Sequence, residues 1–233
     1  MIKIEGLNHL ILKIDKLEID GNCVILGPNG SGKSILMRVI NHEIYPHKIT
    51  KREVFGSKLT LNEARKIFGT VNSELEYFYK QENISVFDAI ISAFKEALVV
   101  YNFFEFDETE KRRVFELCET FKLSPKSCVC DLSLGEIKKL LIARAIIHDP
   151  EILCLDEPTN GLDIKAKSLF WDVIEELNKK IILVTHDFNE AAIYSNIIML
   201  KNGEIFKTAK TLKKEDIIKL FDINENIYRR FYG

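Results

Sequence analysis

The residues with the clearest chemistry form one octapeptide, Gly27-Pro28-Asn29-Gly30-Ser31-Gly32-Lys33-Ser34. It fits G-x-x-x-x-G-K-[ST], the pattern of a loop that wraps phosphates. Gly27, Gly30 and Gly32 allow backbone conformations closed to other residues and a close approach to a ligand. Successive backbone N–H groups then point inward as an anion nest. Lys33 brings a compact positive charge suited to β- and γ-phosphates, and Ser34 a hydroxyl suited to Mg²⁺. A second group closes an apolar run: Ile152-Leu153-Cys154-Leu155 is followed by Asp156 and Glu157. Asp156 is suited to hold Mg²⁺, directly or through water, beside Ser34. Glu157 is suited to polarise an attacking water. A plain glycine turn and a pair of surface or helix-capping acids would be the bland alternatives. Eight residues in full register, with a twin-carboxylate strand end downstream, weigh against them.

These groups need elements to position them. Cys23-Val24-Ile25-Leu26 reads as a buried strand entering the loop, and Ser34 to Ile40 as a helix leaving it, running to about Asn41. The helix N-terminus then faces the phosphates with favourable partial charge. Upstream, Ile2 and Ile4, then Leu10, Leu12 and Ile14, alternate as antiparallel strands. Leu61 to Phe68 reads as a short helix and Gly69-Thr70-Val71 as another buried strand. Between about 84 and 147 the pattern becomes helical. Ser85-x-x-Asp88 resembles a capping box, and Val86, Ala89, Ile90, Ala93, Ala97 and Val100 follow at helical spacing. Asp107 to Thr120 and Leu134 to Ile147 give two further helices. The α/β pattern returns with a helix over Ile164 to Leu177, a strand over Ile181 to Val184 and a short helix over Asn189 to Tyr194. A hairpin turns at Asn202-Gly203, and Leu212 to Tyr232 reads as a terminal helical segment.

Composition sets limits. The chain has 233 residues, 46% hydrophobic and 29% charged, enough for one large domain with a subdomain. A net charge of −2 gives no electrostatic case for nucleic acid. No apolar run approaches the ~18–20 residues of a membrane span, and Met1 to Glu5 does not read as a signal peptide. Cys23 and Cys154 read as buried thiols. Cys128-Val129-Cys130 lacks a second Cys/His pair at metal-ligand spacing, and a reduced cytoplasmic setting fits best.

Several further motifs stand in order: Leu132-Ser133-Leu134-Gly135-Glu136, Asp156-Glu157-Pro158, Asn160-Gly161-Leu162-Asp163 and Thr185-His186-Asp187. With the phosphate loop they resemble the ATP-binding cassette (ABC) ATPases, over essentially the whole chain. The resemblance implies a single nucleotide-binding domain over 1–233. It would be an α/β P-loop NTPase (RecA-like) core with an antiparallel β-subdomain and a helical subdomain at about 84–147. It implies ATP and Mg²⁺ as ligands, with contacts from Gly27, Pro28, Asn29, Gly30, Ser31, Gly32, Lys33 and Ser34, and metal held by Ser34 and Asp156. Glu157 would be the general base and His186 the switch histidine on the γ-phosphate. Ser133 and Gly135 would touch ATP bound to a second subunit, and Asp163 would couple the two sites. Arg144 reads as structural. A capping-box role for Ser133 and Glu136, and a helix-cap role for Asp163, are compatible with these assignments.

The chain departs from the family at three places. Leu134 and Glu136 replace a Gly and a Gln of the signature, bringing bulk and negative charge near the phosphates. Ser73, beside Glu74, stands where the family has its Q-loop glutamine. No Phe, Tyr or Trp precedes Tyr45 as an adenine platform, and His9 is the nearest ring. The expected activity is ATP hydrolysis in a head-to-tail homodimer, or with a similar cassette, powering transport by separate membrane-spanning subunits. The chain would sit at the inner face of the cell membrane. The Tyr77-Phe78-Tyr79 cluster reads either as a docking surface for those subunits or as core. The alternative activity is a soluble single-cassette ATPase, for example in iron–sulfur cluster assembly.

Overall fold

In a computed structural model that describes residues 1–232, the strands are β1 (Ile2–His9), β2 (Leu12–Ile19), β3 (Cys23–Leu26), β4 (Lys51–Val54), β5 (Phe68–Val71), β6 (Ile152–Asp156), β7 (Lys180–Thr185), β8 (Ile197–Lys201) and β9 (Glu204–Ala209). The helices are α1 (Lys33–Ile40), α2 (Leu61–Ile67), α3 (Ser73–Tyr79), α4 (Val86–Ile91), α5 (Glu108–Phe121), α6 (Leu134–Ala145), α7 (Ile164–Glu176), α8 (Phe188–Ala191), α9 (Lys214–Phe221) and α10 (Glu225–Tyr232). The chain divides into two compact units: residues 66–179, and residues 1–65 together with the chain from 180 onward.

In the unit holding both termini, β1 pairs antiparallel with β2 on one side and β4 on the other. Alternation does the work: Ile2, Ile4 and Leu7 of β1 and Leu12, Ile14, Leu17 and Ile19 of β2 are buried, with polar residues between them. The run Cys23–Leu26 is buried throughout because β3 lies between parallel neighbours, β7 and β8. The expected hairpin is present as β8–β9, and Asn202 (φ 50°) and Gly203 (φ 81°) both take the positive φ of a type I′ turn. The terminal helical segment is broken into α9 and α10 at Asp222 (φ 54°), where Lys201 Nζ reaches the Asp222 carboxylate (2.6 Å).

In the unit of residues 66–179, β5 and β6 pair in parallel. Gly69 is needed in β5: a Cβ there would stand 2.3 Å from the Ala145 carbonyl at the end of α6. α4, α5 and α6 pack on one another, with Ile90, Leu117, Leu140 and Leu141 buried. The helix expected from Val86 to Val100 is cut short. α4 ends at Ile91, a 3₁₀ turn follows over Ser92–Lys95, and Glu96 turns left-handed. Arg144 explains the break. Its guanidinium donates to Ala89 O, Ser92 Oγ and Ala97 O, taking carbonyls that a continuous helix would have bonded internally. Arg144 is thus structural, as expected.

α3 was not foreseen. It divides the Tyr77-Phe78-Tyr79 cluster: Tyr79 is fully buried, its hydroxyl donating to Leu98 O (2.7 Å), whereas Tyr77 is 70% exposed. Cys23, Cys118 and Cys154 are buried free thiols, and burial pushes Cys23 up to about 12 and Cys118 to about 11. The buried thiols expected at Cys23 and Cys154 are present, and Cys128 and Cys130 are joined in a disulfide.

Candidate active site

The phosphate loop leaves β3 and enters α1 at Gly32, which is left-handed (φ 99°) and gives the helix no side-chain cap. α3 through α8, by contrast, are each capped by an Asn, Ser or Asp side chain. A helix N-terminus without a side-chain cap is suited to an anion. Lys33 is the first residue of that helix. Its ammonium, on a side chain only 5% exposed, donates to Pro28 O (3.0 Å), folded back over the loop's own backbone. Gly30 (φ 77°) has open space where a Cβ would be, and Asn29, Gly30 and Ser34 are exposed. Ser31 is buried, and its Oγ has no hydrogen-bond partner among the described residues, an orphan polar atom within the loop.

Two hairpin tips support the loop. Gly203 N donates to Ser31 O (3.0 Å), and Lys13 N donates to Gly203 O (2.9 Å). A Cβ on Gly203 would stand 1.8 Å from Ile11 O, so only glycine fits between the tips. Ile11 meanwhile leans on Gly32, its Cδ1 lying 3.3 Å from where a Cβ would stand. Ile11 and Leu10 are 46% and 62% exposed. His9 is not available as a base platform. Its ring is buried edge-on against His47, and its Nδ1 accepts from His47 N (3.2 Å).

His186 follows β7. Leu26 and Thr185 are register partners in the parallel β3–β7 pair, so Gly27 and His186 leave the sheet side by side. The turn is held by Thr185, whose Oγ1 donates to the buried Glu190 (2.8 Å) and accepts from Asp187 N (3.0 Å).

In the other unit, Val71 and Leu155 are register partners, so Asn72 and Asp156 are the next residues on adjacent strand ends. Asp156 is half-buried, with Oδ1 shielded from solvent. Glu157 has a left-handed backbone (φ 48°), a conformation that costs a non-glycine residue on the order of 1 kcal/mol and gathers at functional sites. Its carboxylate accepts from Asn160 Nδ2 (2.5 Å). Ser73, the Q-loop position, is exposed at the start of α3. Its predecessor Asn72 caps that helix through Leu75 N (2.9 Å). The sequence reading missed this cap, although an Asn followed by acids in the first turn is an N-terminus signal.

Ser133 caps α6 and Asp163 caps α7 through Ala166 N (2.8 Å), so both hold the helix-end positions foreseen for them. Gly135 has nothing within 4 Å of a built Cβ. Leu134 lies beside Gly161 of the loop before α7, its Cδ2 3.1 Å from where a Cβ on that glycine would stand. Glu136 closes a reciprocal capping box with Ser133. The Ser133 hydroxyl and amide hold its carboxyl below the usual range against a small opposing effect of burial, with help from Lys139.

The ABC transporter family pattern matches residues 10–160. An ABC transporter ATP-binding protein of Caldanaerobacter subterraneus is 38% identical over 193 residues, covering 77% of this chain and 75% of the relative. An uncharacterised ABC transporter ATP-binding protein of Methanocaldococcus jannaschii is 32% identical over 232 residues, covering 95% and 87%. A dimeric ATP-binding cassette solved in a post-hydrolysis state with ADP and phosphate matches the fold with a TM-score of 0.73. It is 24% identical and covers 91% of this chain and all of that one. The chain belongs to the ABC transporter family. It is the ATP-binding and ATP-hydrolysing component of a transport system, built on a P-loop NTPase fold.

Proposed function

We propose that residues 1–233 work as one cassette, with its helical subdomain at about 84–147, and that two copies close head-to-tail around two ATP molecules to drive separate membrane-spanning subunits. The observation that carries this reading is the phosphate loop. One loop brings together an uncapped helix N-terminus, a lysine ammonium folded back on Pro28 O, a buried Ser31 hydroxyl with no hydrogen-bond partner among the described residues, and open space at Gly30. Residues 27–34 cradle the phosphates. On binding, Lys33 exchanges Pro28 O for phosphate oxygens, a charge-assisted bond in place of a neutral acceptor. The Ser34 hydroxyl and Asp156 carboxylate are hard oxygen donors of the kind Mg²⁺ takes. When bound, that ion would neutralise phosphate charge. Glu157 accepts the proton of the attacking water, His186 holds the γ-phosphate from the adjacent strand end, and Ser133 and Gly135 approach the γ-phosphate of the partner's ATP. Asp163 relays between the two sites. Among the described residues no helix is long and apolar enough to cross a membrane. The chain on this reading docks on membrane subunits from the inner face, and nucleic acid has no part in it.

The test is Glu157→Gln, which keeps shape and removes the base. Hydrolysis should fall by about 10²–10⁴, and light scattering should show a dimer with ATP and Mg²⁺ that separates with ADP. Parent-rate turnover would remove Glu157 as the base. A protein that binds ATP but stays monomeric at high concentration would refute closure by the chain alone.

A further inference from the structure

The signature end of α6 is occupied by its own chain. Glu136 Oε2 accepts from Ser133 N (2.9 Å) and from Ser133 Oγ (2.6 Å), while Glu136 N donates to Ser133 Oγ (3.4 Å). One carboxylate oxygen therefore takes both donors that Ser133 can offer to an anion. The same bonds hold the carboxyl below its usual range, so the occupant is ionised at neutral pH. Ser133 is exposed, and the space around Gly135 is open, so an outside ligand can reach this helix end.

We infer that Glu136 is a built-in competitor of the γ-phosphate at the signature, an internal anion that must swing away before ATP on a second cassette can seat there. This rests on the reading of Ser133 as a γ-phosphate contact in trans. A neutral Gln at this position completes the same capping box but brings no charge. The carboxylate both fills the two donors and, if it stays nearby, repels the incoming phosphate. Lys139 lies three residues further along α6, a spacing at which side chains meet, and its charge already acts on Glu136. It receives the carboxylate when Ser133 lets go. Glu136 thus sets a threshold on closure while leaving the phosphate loop's own hold on ATP untouched.

The experiment compares Glu157→Gln with Glu157→Gln/Glu136→Gln and Glu157→Gln/Ser133→Arg, reading the monomer–dimer dissociation constant by light scattering with ATP–Mg²⁺ and with ADP. Glu136→Gln should tighten the ATP dimer at least fivefold, leave ADP samples monomeric, and leave monomer affinity for ATP unchanged by calorimetry. Gln keeps the cap, so thermal stability should shift little, which separates the effect from a folding change. If Ser133→Arg abolishes the dimer but Glu136→Gln changes its constant less than twofold, the competitor role is overturned and the signature reading stands. If Ser133→Arg leaves the dimer intact, the signature reading fails and takes the competitor with it; if no form dimerises with ATP bound, closure by the chain alone is refuted, and with it a competitor that sets the threshold on that closure.

Discussion

Glu76 and Lys138 give the most quantitative prediction. Lys138 of α6 is only 3% exposed, and its ammonium lies 2.7 Å from the Glu76 carboxylate of α3, a group 16% exposed that also meets Lys80 at 2.8 Å. The substitutions should be unequal. Glu76→Gln leaves a buried ammonium without its counter-charge, which costs about 3–5 kcal/mol. Lys138→Met leaves Glu76 with Lys80 and some solvent, so the loss is nearer one charged hydrogen bond, about 1.5–3 kcal/mol. Replacing both by apolar residues, as Glu76→Leu/Lys138→Met, should fall between neutral and about 4 kcal/mol more stable than the parent, since neither desolvation cost remains. Urea unfolding followed by circular dichroism reads these directly. With a slope of about 3 kcal/mol/M, Glu76→Gln should lower the midpoint by roughly 1–1.7 M. Acid should erase the difference. Burial alone would raise the Glu76 carboxyl, but Lys138 and Lys80 outweigh it and hold it below its ordinary 4.5. A depressed carboxylate contributes stability above its unfolded pKa and loses it as pH falls through the folded one. The gap between parent and Glu76→Gln should therefore be constant from pH 7 to about 5 and close below 4.5. Equal costs for the two single substitutions, or a gap that persists in acid, would refute the argument that burial of Lys138 sets the magnitude.

Two further predictions concern the terminal unit. With His9 buried and the nearby hairpin tip presenting Leu10 and Ile11, no ring among the described residues is available there for a purine to stack on. Since stacking is worth about 1–3 kcal/mol in single-strand sites, ATP and GTP should bind within roughly tenfold, a gap of ~1.4 kcal/mol; a hundredfold preference by calorimetry would contradict this. His42 is buried with Nε2 unpartnered among the described residues, and burial, then the Arg52 charge, lowers it from 6.5 to about 4. The unfolded chain takes this proton near 6.5 and the folded chain only near 4, so stability should fall across that window and level off below it. His42→Asn, whose side chain tolerates the left-handed backbone there (φ 67°), should remove that share of the loss. An unchanged parent-minus-variant difference from pH 7 to 4 would show that His42 does not titrate as described.

Much of the architecture was legible because it follows from short-range rules. The alternating Ile and Leu of β1 and β2, the unbroken apolar runs of β3 and β6, and the Asn202-Gly203 turn each announce themselves within a few residues. The caps Ser85, Ser133 and Asp163 could be read the same way. What failed was set at a distance. Apolar spacing carried the expected helix through to Val100, but Arg144, more than forty residues on, takes the carbonyls that would continue it. His9 looked available until His47 covered it. The Cys128–Cys130 bond is local, yet spacing alone does not distinguish a paired from a free C-x-C.

The loop that wraps phosphate reads as a self-sufficient octapeptide, but its floor is laid by residues from the far end of the chain. Ser31 O is held by Gly203 N, and Gly203 O holds Lys13 N, so three tips separated by up to about 190 positions lock together. On a ribosome these parts emerge in order, and the loop is exposed long before the hairpin that fixes it. We therefore expect nucleotide retention to arise late in synthesis, only once the chain through β9 has cleared the exit tunnel. Arrested chains of increasing length would show a step at that point, and retention by chains lacking residues 197–209 would rule it out. Until then the motif is present as letters without being present as a site.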